Sequence, residues 1–210
     1  GRHALQRHHG AGAGVLGDAR LRRVDDVHDD AALAWADVVK KLEAIKKADI
    51  VEWGWLGLIA YTGIRQSEVA RLKTEDVDMD EEVLHVRHAK VAKQPRTLPM
   101  PKGLVTVAGC AMQWNGRFGG KFDETPWLLP GADEDERRAY LDATARRWKV
   151  KLHSWRHAFA SELARRGVPV NVIARLLGHA MGGTTMRYVH EAAPELRAAM
   201  EKLWSDFDAA

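Results

Sequence analysis

From His153 to Tyr188 the chain reads HSWRHAFASELARRGVPVNVIARLLGHAMGGTTMRY. His153 and Arg156 stand three apart, which puts them on one face of a helix. Gly167-Val168-Pro169 ends that helix, because Gly suits a C-terminal cap and Pro cannot continue the ladder. A second short helix over Asn171–Leu177 carries an apolar stripe of Val172, Ile173, Leu176 and Leu177 and stops at Gly178-His179. A flexible Gly182-Gly183 pair then leads to Thr184-Thr185-Met186-Arg187-Tyr188. Two imidazoles, a guanidinium and a phenol have no common purpose in an apolar core. Together they suit a tyrosine nucleophile with phosphate-clamping partners.

Exchange at a phosphodiester must stabilise charge on the non-bridging oxygens, activate a nucleophile and protonate a leaving alkoxide. A phenol has a pKa of about 10, so Tyr188 is a weak nucleophile at neutral pH without help. Nearby cations and hydrogen-bond donors favour both the phenolate and the transition state. Arg156 suits this task because a planar, permanently charged fork binds phosphate oxygens in pairs, which Lys does not. His153 can exchange a proton near neutral pH and is the candidate acceptor of the Tyr188 proton. His153 and His157 are also spaced like a helical zinc pair, but Glu does not follow His153 and no Cys is near. No metal and no cofactor is expected.

The elements that must position these groups lie upstream. Ala31–Lys47 has Leu33, Ala36, Val39, Leu42 and Ile45 at helical spacing, with lysines on other faces. Ile50–Tyr61 is apolar all round, which predicts a helix at the centre of the domain. Thr62-Gly63 ends it and sets Arg65 at a corner before a further helix, Gln66–Leu72. An Arg at such a corner points from a rigid scaffold into a cleft, and Glu68 is placed to bond nearby backbone or to orient Arg65. Asp76, Asp78 and Asp80 resemble a calcium loop only superficially, since Glu81 and Arg87 stand where that loop needs Gly and Glu. Val83–Val86 and Thr97–Met100 read as short strands flanking a basic segment, His88 to Arg96. Lys102–Trp114 is a helix, 115–131 a Gly- and Pro-rich surface loop, and Asp133–Lys149 a helix that is acidic early and basic late. Arg137, Arg138, Arg146, Arg147, Lys149 and Lys151 are a candidate basic face for a DNA backbone. After His190, Leu196, Met200, Leu203, Trp204 and Phe207 form the stripe of a last helix.

The chain has 210 residues, 46% of them hydrophobic, enough for one substantial domain or two small ones. Lys and Arg total 32 against 29 Asp and Glu, a mild basic excess that permits a nucleic-acid partner without demanding one. One cysteine, Cys110, excludes an internal disulfide framework and suits a reducing compartment. No apolar run approaches the roughly 20 residues that span a bilayer, and the N-terminus lacks the apolar core of a signal peptide. A cytoplasmic, nucleoid-associated protein is the expectation. Residues 1–30, basic and His-rich and then Gly-rich, read as a linker or the remnant of an upstream domain.

HSWR, LLGHAMGGTTMRY and the upstream TGIRQSEVARL resemble the motifs of the tyrosine recombinases, the phage-integrase family of DNA breaking and joining enzymes. In that family an HxxR pair precedes an LGH element, and the nucleophilic Tyr follows the LGH histidine by nine residues; here 188 minus 179 gives nine. The likeness runs from about Val39 to His190. It implies an α+β catalytic domain over 31–192, mostly helical with a small antiparallel sheet. It also implies a site made of Arg65, Lys90, His153, Arg156, His179 and Tyr188, acting on double-stranded DNA through a 3′-phosphotyrosyl intermediate. His179 would bond the phosphate. Lys90 on the strand-flanked basic segment would protonate the leaving 5′ oxygen, with Lys93 as the alternative. Lys93, Arg96, Arg146, Arg147 and Lys151 would contact the DNA backbone. Residues 193–210 would form a terminal helix that either docks on a neighbouring subunit of a tetramer or packs in cis. Trp155 departs from the usual Leu before the second Arg. The family's N-terminal clamp domain is not supplied by 30 irregular residues, so a catalytic fragment or a short form is expected. Two rivals remain: a type IB topoisomerase-like DNA relaxer, and a catalytically silent DNA-binding prophage remnant.

Overall fold

The structure is a computed structural model that describes residues 33–87, 95–113, 126–179 and 193–204. Helix α1 (Trp35–Ala48) carries Asp37 in its first turn and Lys46 and Lys47 in its last, each sign favourable to the helix dipole. Asp49 closes it and opens α2 (Ile50–Thr62). Its backbone N–H donates to the Ile45 carbonyl at 2.7 Å. Its carboxylate caps α2 by accepting from the Val51 and Glu52 N–H groups at 3.1 and 3.0 Å.

Every residue of α2 from Val51 to Thr62 is buried, as an all-round apolar helix must be. Five other helices pack around it: α1, α3 (Gln66–Val69), α4 (Lys102–Met112), α5 (Glu134–Arg147) and α6 (Leu152–Arg165). The approach to α4 is so close that a Cβ on Gly54 would stand 2.3 Å from the Ala111 nitrogen. Trp55 fixes this crossing by donating its indole N–H to the carbonyls of Ala111 and Leu128, both at 3.1 Å. Its apolar body stays in the core, where a large side chain is worth about 1.5–3 kcal/mol.

Three short strands, β1 (Val77–Asp78), β2 (Val83–Val86) and β3 (Arg96–Pro99), form an antiparallel sheet in that order. Leu84 pairs with Leu98 and Val86 with Arg96. The last two described helices are α7 (Val170–Leu176) and α8 (Ala193–Trp204). Leu196, Met200, Leu203 and Trp204 of α8 are buried within this chain, with the Trp204 ring centroid 4.2 Å from that of Tyr61. Phe207, the last residue of the expected stripe, lies outside the described residues.

The expected helix over Gln66–Leu72 is shorter, and tertiary partners explain why. Arg137 donates to the Ala70 carbonyl at 2.6 Å. The Thr74 N–H turns to the Pro126 carbonyl at 2.7 Å, and the Leu72 carbonyl accepts from Leu128 at 2.8 Å. Arg137, read in the sequence as part of a DNA-facing surface, is instead buried and lies over the Trp127 ring at 3.9 Å. Residues 1–30, Lys90, Lys93 and Tyr188 lie outside the described residues.

Candidate active site

Arg65 stands at the corner between α2 and α3. Gly63, with φ 63° and ψ 18°, ends α2 in the left-handed conformation and turns the chain. A side chain there would also strike Phe159 and Leu177 at 2.6 and 2.8 Å. The residues after Arg65 are pinned to α5: Gln66 bonds Asp142, and Arg71 bonds Glu134 at 2.7 Å. The corner is thus a fixed part of the scaffold.

His153 and Arg156 lie on α6, as their spacing requires. Arg156 is buried, and its fork reaches across to two other elements. One arm donates to the Gly63 carbonyl, the other to the Leu177 carbonyl at 2.8 Å and to His179 Nε2 at 3.3 Å. Because a guanidinium only donates, this geometry puts the His179 proton on Nδ1. Burial, followed by the charge of Arg65, pulls Arg156 down to about 10, so it remains charged at neutral pH. Burial and the charges of Arg156, Arg65 and Arg96 likewise lower His179 below the usual imidazole value.

The end of α7 explains why the arginines gather here. Gly178, with φ 66°, donates to the Arg175 carbonyl at 3.0 Å, and the His179 N–H donates to Ala174 at 2.9 Å. These are the two bonds of a Schellman cap, and they fix the His179 backbone. The last carbonyls of the helix, Leu176 and Leu177, have no helical donor left. Arg65 donates to Leu177 at 3.4 Å alongside Arg156, and Arg96 donates through Nε to Leu176 at 3.1 Å. A helix C-terminus favours such cations.

Among the described residues a single carboxylate balances them. Glu68, essentially inaccessible, accepts from both arms of Arg96, Oε1 at 2.8 Å and Oε2 at 2.9 Å. It also accepts from the Arg65 backbone N–H at 2.8 Å and, more loosely, from the Arg65 guanidinium at 3.4 Å. Burial alone would raise the Glu68 carboxyl, but the bonds and charges of Arg96 and Arg65 outweigh it and hold it below the ordinary value. Three guanidinium groups against one carboxylate leave a pocket of net positive charge. The Nε and second arm of Arg65, whose side chain is 32% exposed, bond no described residue. Those donors suit an added anion.

Arg96 therefore departs from its expected place on a DNA-contacting surface. Its side chain is 11% exposed and its fork is occupied by Glu68. Sequence spacing could not pair a β3 arginine with an α3 glutamate. Arg147, half exposed, is also engaged, with Glu52 at 3.0 Å and Asp49 at 3.6 Å. Arg146 and Lys151 are exposed near the start of α6. His153 and His157 face each other on the open side of that helix with their Nε2 atoms 2.8 Å apart. Trp155, the unusual residue of the motif, is buried. Among the described residues no three His, Cys, Asp or Glu side chains group as a metal site.

A helical body with a three-stranded antiparallel sheet is the architecture of solved recombinase catalytic domains. The crystal structure of XerA recombinase superposes with a TM-score of 0.59 at 24% identity, covering 86% of this chain and 66% of that one. The integrase from mycobacterium phage Brujita gives a TM-score of 0.63 at 22% identity, covering 83% of this chain and 58% of that one. The Tn1549 transposon integrase in complex with transposon right end DNA gives 0.59 at 18% identity, covering 87% and 69%. In sequence, the tyrosine recombinase XerA of Pyrococcus furiosus is 30% identical over 181 residues, 81% of this chain and 61% of that protein. XerA of Thermococcus kodakarensis is 32% identical over 157 residues, 69% of this chain and 52% of that protein. The model of the phage integrase family matches residues 33–195. The chain belongs to the phage integrase family, and it spans about half to three-fifths of these relatives' length.

Proposed function

We propose that this chain is the catalytic domain of a site-specific DNA recombinase. The Tyr188 phenol oxygen attacks a DNA phosphorus, a 3′-phosphotyrosyl bond forms, and the bond to the 5′ oxygen breaks. His153 accepts the phenol proton, and Lys90, or Lys93, returns a proton to the leaving oxygen. Arg65, Arg156 and His179 hold the non-bridging oxygens. The ester energy is retained, so rejoining to another strand needs neither ATP nor a cofactor. The observation that carries this reading is the convergence of Arg65 and Arg156 on the Leu177 carbonyl beside His179.

Double-stranded DNA is the partner, with Arg146 and Lys151 on the surface that meets its backbone. Assembly is as a tetramer on two duplexes. Since the stripe of α8 is already used in cis, its part in assembly would be exchange of the whole helix between subunits. Action on DNA implies a cytoplasmic, nucleoid-associated location, and no described helix is long and apolar enough to cross a membrane.

A nicked suicide duplex tests the reading on denaturing gels without added metal. The expected result is a covalent protein–DNA band that is lost in Tyr188→Phe. Binding without a band, in this chain and after an N-terminal domain is joined to it, would support a silent DNA-binding module instead.

A further inference from the structure

Arg96 has no role in the chemistry proposed above, yet its guanidinium is fully engaged in the pocket. Both of its arms and its Nε are used, on Glu68 and on Leu176. The Arg65 guanidinium, on the same carboxylate, holds only the longer 3.4 Å contact. A buried carboxylate takes the strongest partner within reach, because an unpaired one is costly. The two Glu68 oxygens face two guanidinium groups, and Arg96 occupies the paired, fork-on-fork position. That leaves the Nε and outer arm of Arg65 uncommitted among the described residues.

Gly178 provides a second, independent sign. A Cβ at this position would stand 2.6 Å from an Arg96 terminal nitrogen and 2.8 Å from its Cζ. The glycine before His179 thus serves the left-handed cap and also leaves room for the Arg96 guanidinium.

We infer that Arg96 is a positioning residue that occupies Glu68 so that the Arg65 guanidinium stays free to bind phosphate. Without Arg96, the Glu68 carboxylate draws the whole Arg65 fork inward, and the site loses a clamp as well as the Arg96 charge, which Arg96→Lys retains. The inference rests on Arg65 acting as a phosphate ligand. It differs from a simple packing role in one respect: removing the carboxylate should repair the loss of Arg96.

The test uses Arg96→Gln, Glu68→Gln and the double variant, with Arg96→Lys as a milder replacement that preserves charge and folding. Adduct formation on the nicked duplex should fall at least about tenfold in Arg96→Gln, within the range for losing one preorganised donor. It should recover most of that loss in Arg96→Gln/Glu68→Gln. Independently of DNA, nitrogen NMR of the Arg65 side chain should report slower guanidinium rotation in Arg96→Gln or Arg96→Lys than in the parent, and faster rotation once Glu68 is also Gln. A double variant no faster than Arg96→Gln, or unchanged Arg65 rotation in both Arg96 variants, would overturn the inference. A chain that forms no adduct at all yet shows the rotation change would instead count against the recombinase reading alone.

Discussion

Arg65 and Arg156 share one hydrogen-bond acceptor, the Leu177 carbonyl, at 3.4 and 2.8 Å. One comes from the corner after α2 and the other from the middle of α6. The acceptor is the last unsatisfied oxygen of α7, so three helices meet at one point. Two like charges held this close need a shared anion, and Glu68 supplies only part of it.

Arg156→Lys should lose more than charge. A lysine cannot hold Gly63, Leu177 and His179 together, so buried carbonyls lose their donors at a cost of about 1–3 kcal/mol each. Thermal denaturation should show a lower midpoint. Adduct formation should drop about 10²–10³-fold at temperatures where the variant is still folded. Near-parental rates in a folded Lys variant would contradict the role given to the fork.

Glu68 gives an acid limb to stability. Its folded-state carboxyl lies below the ordinary value of 4.5, so its contribution is fully present above that value and is lost as pH falls through the folded one. Glu68→Gln should cost about 3–5 kcal/mol at neutral pH, the usual consequence of breaking a buried pair. Urea titrations from pH 7 downward should show a shallower acid slope in the variant than in the parent.

The imidazole pair on α6 makes a prediction that NMR can read. His157 is held below the ordinary 6.5 by partial desolvation first, then by the facing His153 and by Arg156. At 2.8 Å, charge on the His153 ring disfavours charge on His157. The His157 titration midpoint should lie below 6.5 and move up in His153→Gln. A midpoint unmoved by that substitution would show that His153 exerts no field on it.

The crossing of α2 and α4 predicts unequal costs for two similar substitutions. In Gly54→Ala the new methyl meets Ala111 backbone at 2.3 Å, whereas in Gly57→Ala it meets the Val107 side chain at 2.8 Å. A side chain can shift and a helix backbone cannot without parting the two helices. Gly54→Ala should therefore lie at or above the upper end of about 1–3 kcal/mol, and Gly57→Ala well below it, in equilibrium unfolding.

What the sequence made legible follows from local physics. A nearly all-apolar run must be buried, and Val51–Thr62 is. A Thr-Gly pair after it must end the helix, and Gly63 does so in the left-handed region. His153 and Arg156 share a helix because their spacing is helical, and Glu68 bonds the Arg65 N–H as a residue three places on can. What was not legible is non-local. Arg96 pairs with Glu68 across 28 positions, and Arg137 reaches Ala70 across 67. Both read as surface charges, because nothing in a run of basic residues tells which one faces a buried acceptor. The shortening of α3 has the same origin, since its backbone groups are taken by residues far along the chain.

The most direct test of the account is the chemical location of the DNA bond. The covalent complex formed on a nicked suicide duplex is digested with nuclease and protease, and the modified peptide is sequenced by mass spectrometry. The account predicts a nucleotide joined through its 3′ phosphate to Tyr188, absent when Arg65 or Arg156 is removed. An adduct at any other residue, or one that persists without both arginines, would contradict it.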